Sequence, residues 1–211
     1  LATERGHAAI DRAAAALERG ADGAHFVLEN AEAFDVAYLH QRIPLASAYV
    51  GYTVRSGATN LVQRLADTGA APQGFLISDP ITRHAPDLKK QLRDQCEAVR
   101  LSQLWPEFRA LGLNAAFYGN RGATVTQQLA FALSTAAAYL SELPSTDVLT
   151  VADVAAALHV HVAINPNYFF ELAKLRALRR LWATLLHAYG LPAEAAQSLT
   201  IFASTATWSQ T

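Results

Sequence analysis

Short apolar runs alternate with longer helical segments throughout this 211-residue chain, and no other feature constrains its fold as much. Gly23–Leu28, Ala48–Tyr52, Gly74–Ile77, Asn114–Tyr118, His159–Ile164 and Ser198–Ala203 read as strands: apolar stretches too short for helices and bounded by turn residues. They lack strict polar–apolar alternation, as expected of strands covered on both faces. Between them the spacing predicts helices over Arg5–Arg19 (closed by Gly20), Ala31–Arg42, Ser56–Thr68 (closed by Gly69) and Pro86–Leu111, the last interrupted at Pro106. Further helices follow over Thr124–Leu143, Val151–Leu158 and a long final segment ending at Tyr189, with Asn165-Pro166 read as the last one's N-cap and first residue. Repeated strand–helix units of this kind mean parallel strands joined by crossovers, in a doubly wound open sheet or a (β/α)8 barrel. Six strands fall two short of a closed barrel.

Composition removes several classes of function. A 52% hydrophobic chain with net charge −1 is not disordered. Its 17 basic residues are balanced by 18 acidic ones, leaving no excess to neutralise phosphates, so no nucleic-acid partner is expected. No stretch approaches the ~20 uninterrupted apolar residues of a membrane span, and Leu1–Arg5 lacks the layout of a signal peptide. The lone Cys96 excludes an internal disulfide and suits a reducing, cytoplasmic compartment. The chain contains no methionine, so Leu1 is expected to be a processed end or, as favoured here, a cut inside a longer protein.

In both candidate architectures ligands bind at the carboxyl ends of the strands. The residues expected there are Glu29, Asn30, Thr53, Arg55, Ser78, Asp79, Gly119–Arg121, Asn165 and Thr205–Thr207. None is a histidine or cysteine, so no nucleophile–base pair is predicted. His159 and His161 share one face of a strand, as metal ligands require, but no third ligand lies near in sequence, which favours buried structural histidines. Cys96, mid-helix and without a sequence partner, reads as a packed thiol. Gly119-Asn120-Arg121-Gly122, before a helix, has the composition of a phosphate cradle but matches neither established glycine-rich fingerprint. Lys174, Arg176, Arg179 and Arg180 read first as a solvated helix face and second as a surface for an acidic partner or anionic ligand. Phe169, Phe170, Trp182 and Tyr189 read as core.

Tyr118-Gly119-Asn120-Arg121-Gly122-Ala123-Thr124, continued through Gln127–Leu133, resembles a segment of the adenosylcobalamin-dependent acyl-CoA mutases, the methylmalonyl-CoA mutase family. Asn167–Trp182 is similar to a second family segment, Ser204–Thr211 to a third and Gly74–Pro80, more weakly, to a fourth. The resemblance implies that residues 1–211 are an incomplete parallel (β/α)8 TIM-type barrel of about six βα units, through which coenzyme A threads, without the family's cobalamin-binding-like domain. It implies substrate-pocket positions at Ile77, Tyr118, Gly119, Asn120 and Ser204, in degenerate form. Catalytic chains of the family carry a thioester-binding histidine where this chain has Gly119, and glutamines where it has Ile77 and Ser204. The expected role is therefore the small subunit of a heterodimer, with no catalytic residue, metal ligand or cofactor of its own. A homologous large catalytic subunit would hold adenosylcobalamin and interconvert methylmalonyl-CoA and succinyl-CoA. An active acyl-CoA mutase with a remodelled pocket, or a stand-alone α/β protein binding a small anion, are the alternatives.

Overall fold

The computed structural model describes residues 2–83, 87–145 and 149–207. Two compact units divide the chain: Leu1–Ser78 with Asp94–Ala110, and Asp79–Arg93 with Leu111–Thr211.

The first unit is built on four parallel strands, β1 (Gly23–Leu28), β2 (Tyr49–Val54), β3 (Gln73–Ile77) and β4 (Phe108–Arg109), paired in the order β1-β2-β3-β4. Gly23 lies opposite Tyr49, and Tyr49 opposite Gln73. Each new strand joins the far side of the last, an order found along a barrel wall and on one side of the switch point of a doubly wound sheet. Helices α1 (Ala2–Glu18), α2 (Val36–Arg42) and α3 (Ala58–Asp67) connect them, followed by α4 (Leu88–Ser102), which belongs here from Asp94 onward. The apolar residues of α3 recur every three or four positions, so Ala58, Leu61, Val62 and Leu65 make one buried face. Gly74 is required by space as well as by its φ of 139°, since a Cβ there would lie 1.9 Å from the Val50 carbonyl oxygen. Side chains tie α1 to α2: Tyr38 Oη and Arg42 Nε donate to Asp11 at 2.9 and 2.8 Å, and His7 Nε2 lies 2.9 Å from Asp35 Oδ2.

Three parallel strands form the sheet of the second unit, β5 (Leu111–Asn114), β6 (Leu158–Ile164) and β7 (Thr200–Thr205), in the order β5-β6-β7. Around them run α5 (Ala115–Gly119), α6 (Val125–Glu142), α7 (Val151–Ala157) and α8 (Tyr168–Ala188). Thr124 and Gln127 close a reciprocal capping box at the start of α6. The buried residues of α8 are Glu171, Lys174, Leu178, Trp182 and Leu186, one stripe at three- and four-residue spacing. Tyr189 Oη, just beyond α8, donates to the Ala137 carbonyl of α6 at 2.9 Å.

The expected parallel α/β class is what the structure shows, with three corrections to its elements. Asn114–Tyr118 is not a strand: β5 stops at Asn114, whose side chain accepts from Phe117 N–H at 3.1 Å and opens α5 instead. The helix expected to reach Leu111 ends at Ser102, because Pro106 pushes its neighbour Trp105 out of helical conformation; β4 and β5 occupy the released stretch. The cap of α8 is Asn167, which accepts from Phe170 N–H at 3.3 Å, and not Asn165. No described helix is long and apolar enough to cross a membrane.

Candidate functional site

At the carboxyl ends of β5, β6 and β7 the second unit gathers a set of short contacts. Asp79, 2% exposed, is their anchor. Its carboxylate accepts from Asn114 N–H at 2.9 Å, Tyr139 Oη–H at 3.1 Å, and both the amide and hydroxyl of Thr82. Burial and the Asp79 charge push the Tyr139 phenol well above its ordinary range, so it stays a donor at all physiological pH. This arrangement fixes the end of β5 and hence the start of α5.

Gly119, the last residue of α5, is buried against α6 and β6. A Cβ at this position would lie 2.7 Å from both Cδ and Oε1 of Gln128 and 2.9 Å from Cβ of Ala163. Ala163 belongs to a cluster with Ala116 and Ala206, all 1% exposed or less, so the ends of the three chain segments meet through small residues. Gln128 is fully buried; its Nε2 donates to the Ala123 carbonyl at 3.4 Å, while its Oε1 has no partner among the described residues. Beneath this layer Lys174 Nζ, 1% exposed, donates to the Ala163 carbonyl and pairs with the buried Glu171 carboxylate.

The expected site residues distribute as follows. Tyr118 lies on α5 with its ring stacked on Phe131 at 4.2 Å. Asn120 caps the end of α5, and its Oδ1 accepts from Thr207 N–H at 2.9 Å, joining this turn to the segment after β7. Ser204, on β7, shares a 2.8 Å hydrogen bond with His161 Nε2. Tyr118, Gly119, Asn120 and Ser204 thus all stand in the second unit. Ile77 is the last residue of β3 in the first unit, 1% exposed and opposite Thr53.

The Gly119–Gly122 loop has no amides to offer a phosphate: the N–H groups of Asn120, Arg121, Gly122 and Ala123 donate to carbonyls of residues 116–119, and that of Thr124 to Gln127 Oε1. Arg121 is equally engaged, its guanidinium 3.5 Å over the Phe117 ring. His159 is 0% exposed, His161 packs against Phe202 at 4.6 Å, and no group of three metal-ligating side chains exists among the described residues. Lys174 is not on the solvated face, and Phe169 and Phe170 are not core: they are 79% and 63% exposed, beside Tyr168 at 70%. Sequence reasoning also missed Gln128 and the Glu171–Lys174 pair. The pair had a signal, because Glu171 and Lys174 precede Leu178 and Trp182 on one helical stripe. Gln128 had none.

Parallel strands joined by helical crossovers, with short contacts gathered at strand carboxyl ends, define the class as a parallel α/β protein. A family model for methylmalonyl-CoA mutase matches residues 85–211. The methylmalonyl-CoA mutase small subunit of Streptomyces virginiae is 33% identical over 171 residues, 78% of this chain and 27% of that protein. That of Porphyromonas gingivalis is 38% identical over 85 residues, 40% and 14% respectively. The large subunit from Propionibacterium freudenreichii is 32% identical over 106 residues, half of this chain and 14% of its own length. The chain belongs to the methylmalonyl-CoA mutase family, and it spans between 14% and 27% of the length of these relatives.

Proposed function

We propose that this chain is barrel sequence from the small, non-catalytic subunit of a methylmalonyl-CoA mutase. In this reading it supports a homologous large subunit that interconverts methylmalonyl-CoA and succinyl-CoA. The observation that carries the reading is at Gly119. The resemblance puts a thioester-binding histidine there in catalytic chains; here the space is taken by Gln128 and Ala163. Ile77 supplies no hydrogen-bond donor, and the Ser204 hydroxyl is engaged by His161. Radical rearrangement depends on the protein holding the acyl group in place, so missing donors remove what a catalytic chain must provide. Relatives named as small subunits support the same reading.

Adenosylcobalamin supplies the radical chemistry of the assembled enzyme. The two histidines of β6 do not fit a cobalt ligand: His159 is enclosed within the strand and His161 uses Nε2 for Ser204. The place of the cofactor is the catalytic partner. The contribution of this chain is surface and scaffold. Tyr168, Phe169 and Phe170 form an exposed apolar row of the kind a subunit interface covers. The test is turnover of methylmalonyl-CoA with adenosylcobalamin by the full-length subunit, alone and with its large partner. Activity only with the partner is expected. Appreciable turnover by the subunit alone refutes the reading and favours an active chain with a remodelled pocket.

A further inference from the structure

Gly119 sits in a short helix with no positive φ, so its backbone gives no reason for glycine. Alanine would serve a right-handed helical end at least as well as glycine, so some other requirement selects the residue without a side chain. The requirement is space, and the larger of its two occupants is Gln128, whose Cδ and Oε1 both stand 2.7 Å from where a Cβ would be. Gln128 is itself an odd choice for that place. It is 0% exposed, and a buried amide oxygen without a donor is a standing penalty that an apolar side chain of similar shape avoids.

The orientation of that amide is not arbitrary. Nε2 faces the Ala123 carbonyl, and flipping the group would set two oxygens against each other. Oε1 is therefore held towards Gly119. A thioester carbonyl, which needs a hydrogen-bond donor, would meet an acceptor here as well as a filled volume.

We propose that Gln128 is the specificity-determining residue that closes the carboxyl end of the second unit's sheet to acyl thioesters, acting with Gly119 as a matched pair. The pair excludes in two ways. The volume of Gln128 forbids a side chain at position 119, and its oxygen, aimed at that position, repels the carbonyl that such a side chain would bind. The inference rests on the non-catalytic reading for the identity of the excluded ligand, while the pairing itself rests on geometry alone.

The experiment is a double-mutant cycle in the full-length subunit: Gly119→Ala, Gln128→Ala and both together, read by thermal unfolding. Gly119→Ala alone is expected to lower Tm by about 4 °C, the scale of modest overpacking in a domain of this size. In the Gln128→Ala background the same change should cost less than half as much. An equal loss in both backgrounds, a neutral Gly119→Ala, or failure of both Gly119→Ala proteins to fold overturns the pairing, since Ala163 or the backbone would then set the limit. Calorimetric titration with succinyl-CoA tests the exclusion. Gln128→Ala should bind about tenfold or more tightly than the parent, and equal binding overturns that part. Turnover by the unaltered subunit alone would sink the non-catalytic reading yet leave the stability cycle standing, so the two failures are distinguishable.

Discussion

Replacing Lys174 with methionine separates two pictures of α8 by magnitude. A lysine on a solvated helix face, which the neighbouring Arg176, Arg179 and Arg180 suggest, is worth no more than about 0.5 kcal/mol in such an exchange. The structure puts the Lys174 side chain at 0% exposure, donating to the Ala163 carbonyl and paired with a Glu171 carboxylate that is 6% exposed. Methionine fills a similar volume but leaves a buried carboxylate without its counter-charge and the Ala163 carbonyl without the lysine donor. Breaking a buried pair from one side costs about 3–5 kcal/mol, a large part of the ~5–15 kcal/mol that stabilises a typical domain. Urea unfolding followed by circular dichroism should show this loss as a lower midpoint. Glu171→Gln combined with Lys174→Met should recover half or more, because a neutral buried pair carries no uncompensated charge. Raising NaCl to about 0.5 M should leave the parent's pair intact, since screening acts weakly on groups out of solvent. A loss below about 1 kcal/mol for Lys174→Met would show that the ammonium is not buried as described.

Asp79→Ala should cost about 3 kcal/mol or more by stranding the Asn114 amide and the Tyr139 phenol, whereas Tyr139→Phe, which removes one of Asp79's four donors, should cost about 1 kcal/mol; urea midpoints compare them. Acid should loosen α1 from α2. The hydrogen bond from Tyr38, followed by that from Arg42, holds the Asp11 carboxyl below its usual range, and the Tyr38 amide with His7 does the same for Asp35. Groups with depressed folded pKa values contribute fully above the unfolded value near ~3.9 and lose that contribution as pH falls from there through the folded value, so the protection factors of the α1 amides, corrected for intrinsic exchange, should decrease below about pH 4. Changing Tyr168, Phe169 and Phe170 together to serine should leave the urea midpoint unchanged within the error of measurement. The same triple change should weaken co-purification of the full-length subunit with its large partner.

The parallel α/β class was readable because its signals are local: apolar runs of strand length, glycines after helices and helical stripes of period near four. The misread stretches were those where a single side chain decides. Ala115–Tyr118 is as apolar as a strand, and only the reach of Asn114 to the Phe117 amide makes it a helix. Phe108–Leu113 was hidden inside a charged helical pattern until Pro106 is given its full weight. At the site, the family-like positions could be found by likeness, but their environment could not. That Gly119 faces Gln128, nine residues on, depends on how α5 and α6 pack, and one sequence carries no trace of such a contact. Phe169 and Phe170 mislead for the opposite reason, because hydrophobicity predicts burial somewhere, and not burial within the same chain.

The two units are interleaved along the chain: Asp79–Arg93 belongs with the residues after Leu111, and Asp94–Ala110 with the first 78. No single scission can therefore yield two whole pieces. A protease cut or a gene split after Ala110 would strand Asp79 on one fragment and its partners Asn114 and Tyr139 on the other. The same topology bears on synthesis. When Ala110 leaves the ribosome, the first unit has every strand it needs, while Asp79 still waits for its donors. The Asn120–Thr207 clasp must wait for almost the whole chain to emerge. An exchange that replaces either unit as a whole must therefore move two separate segments of the chain at once.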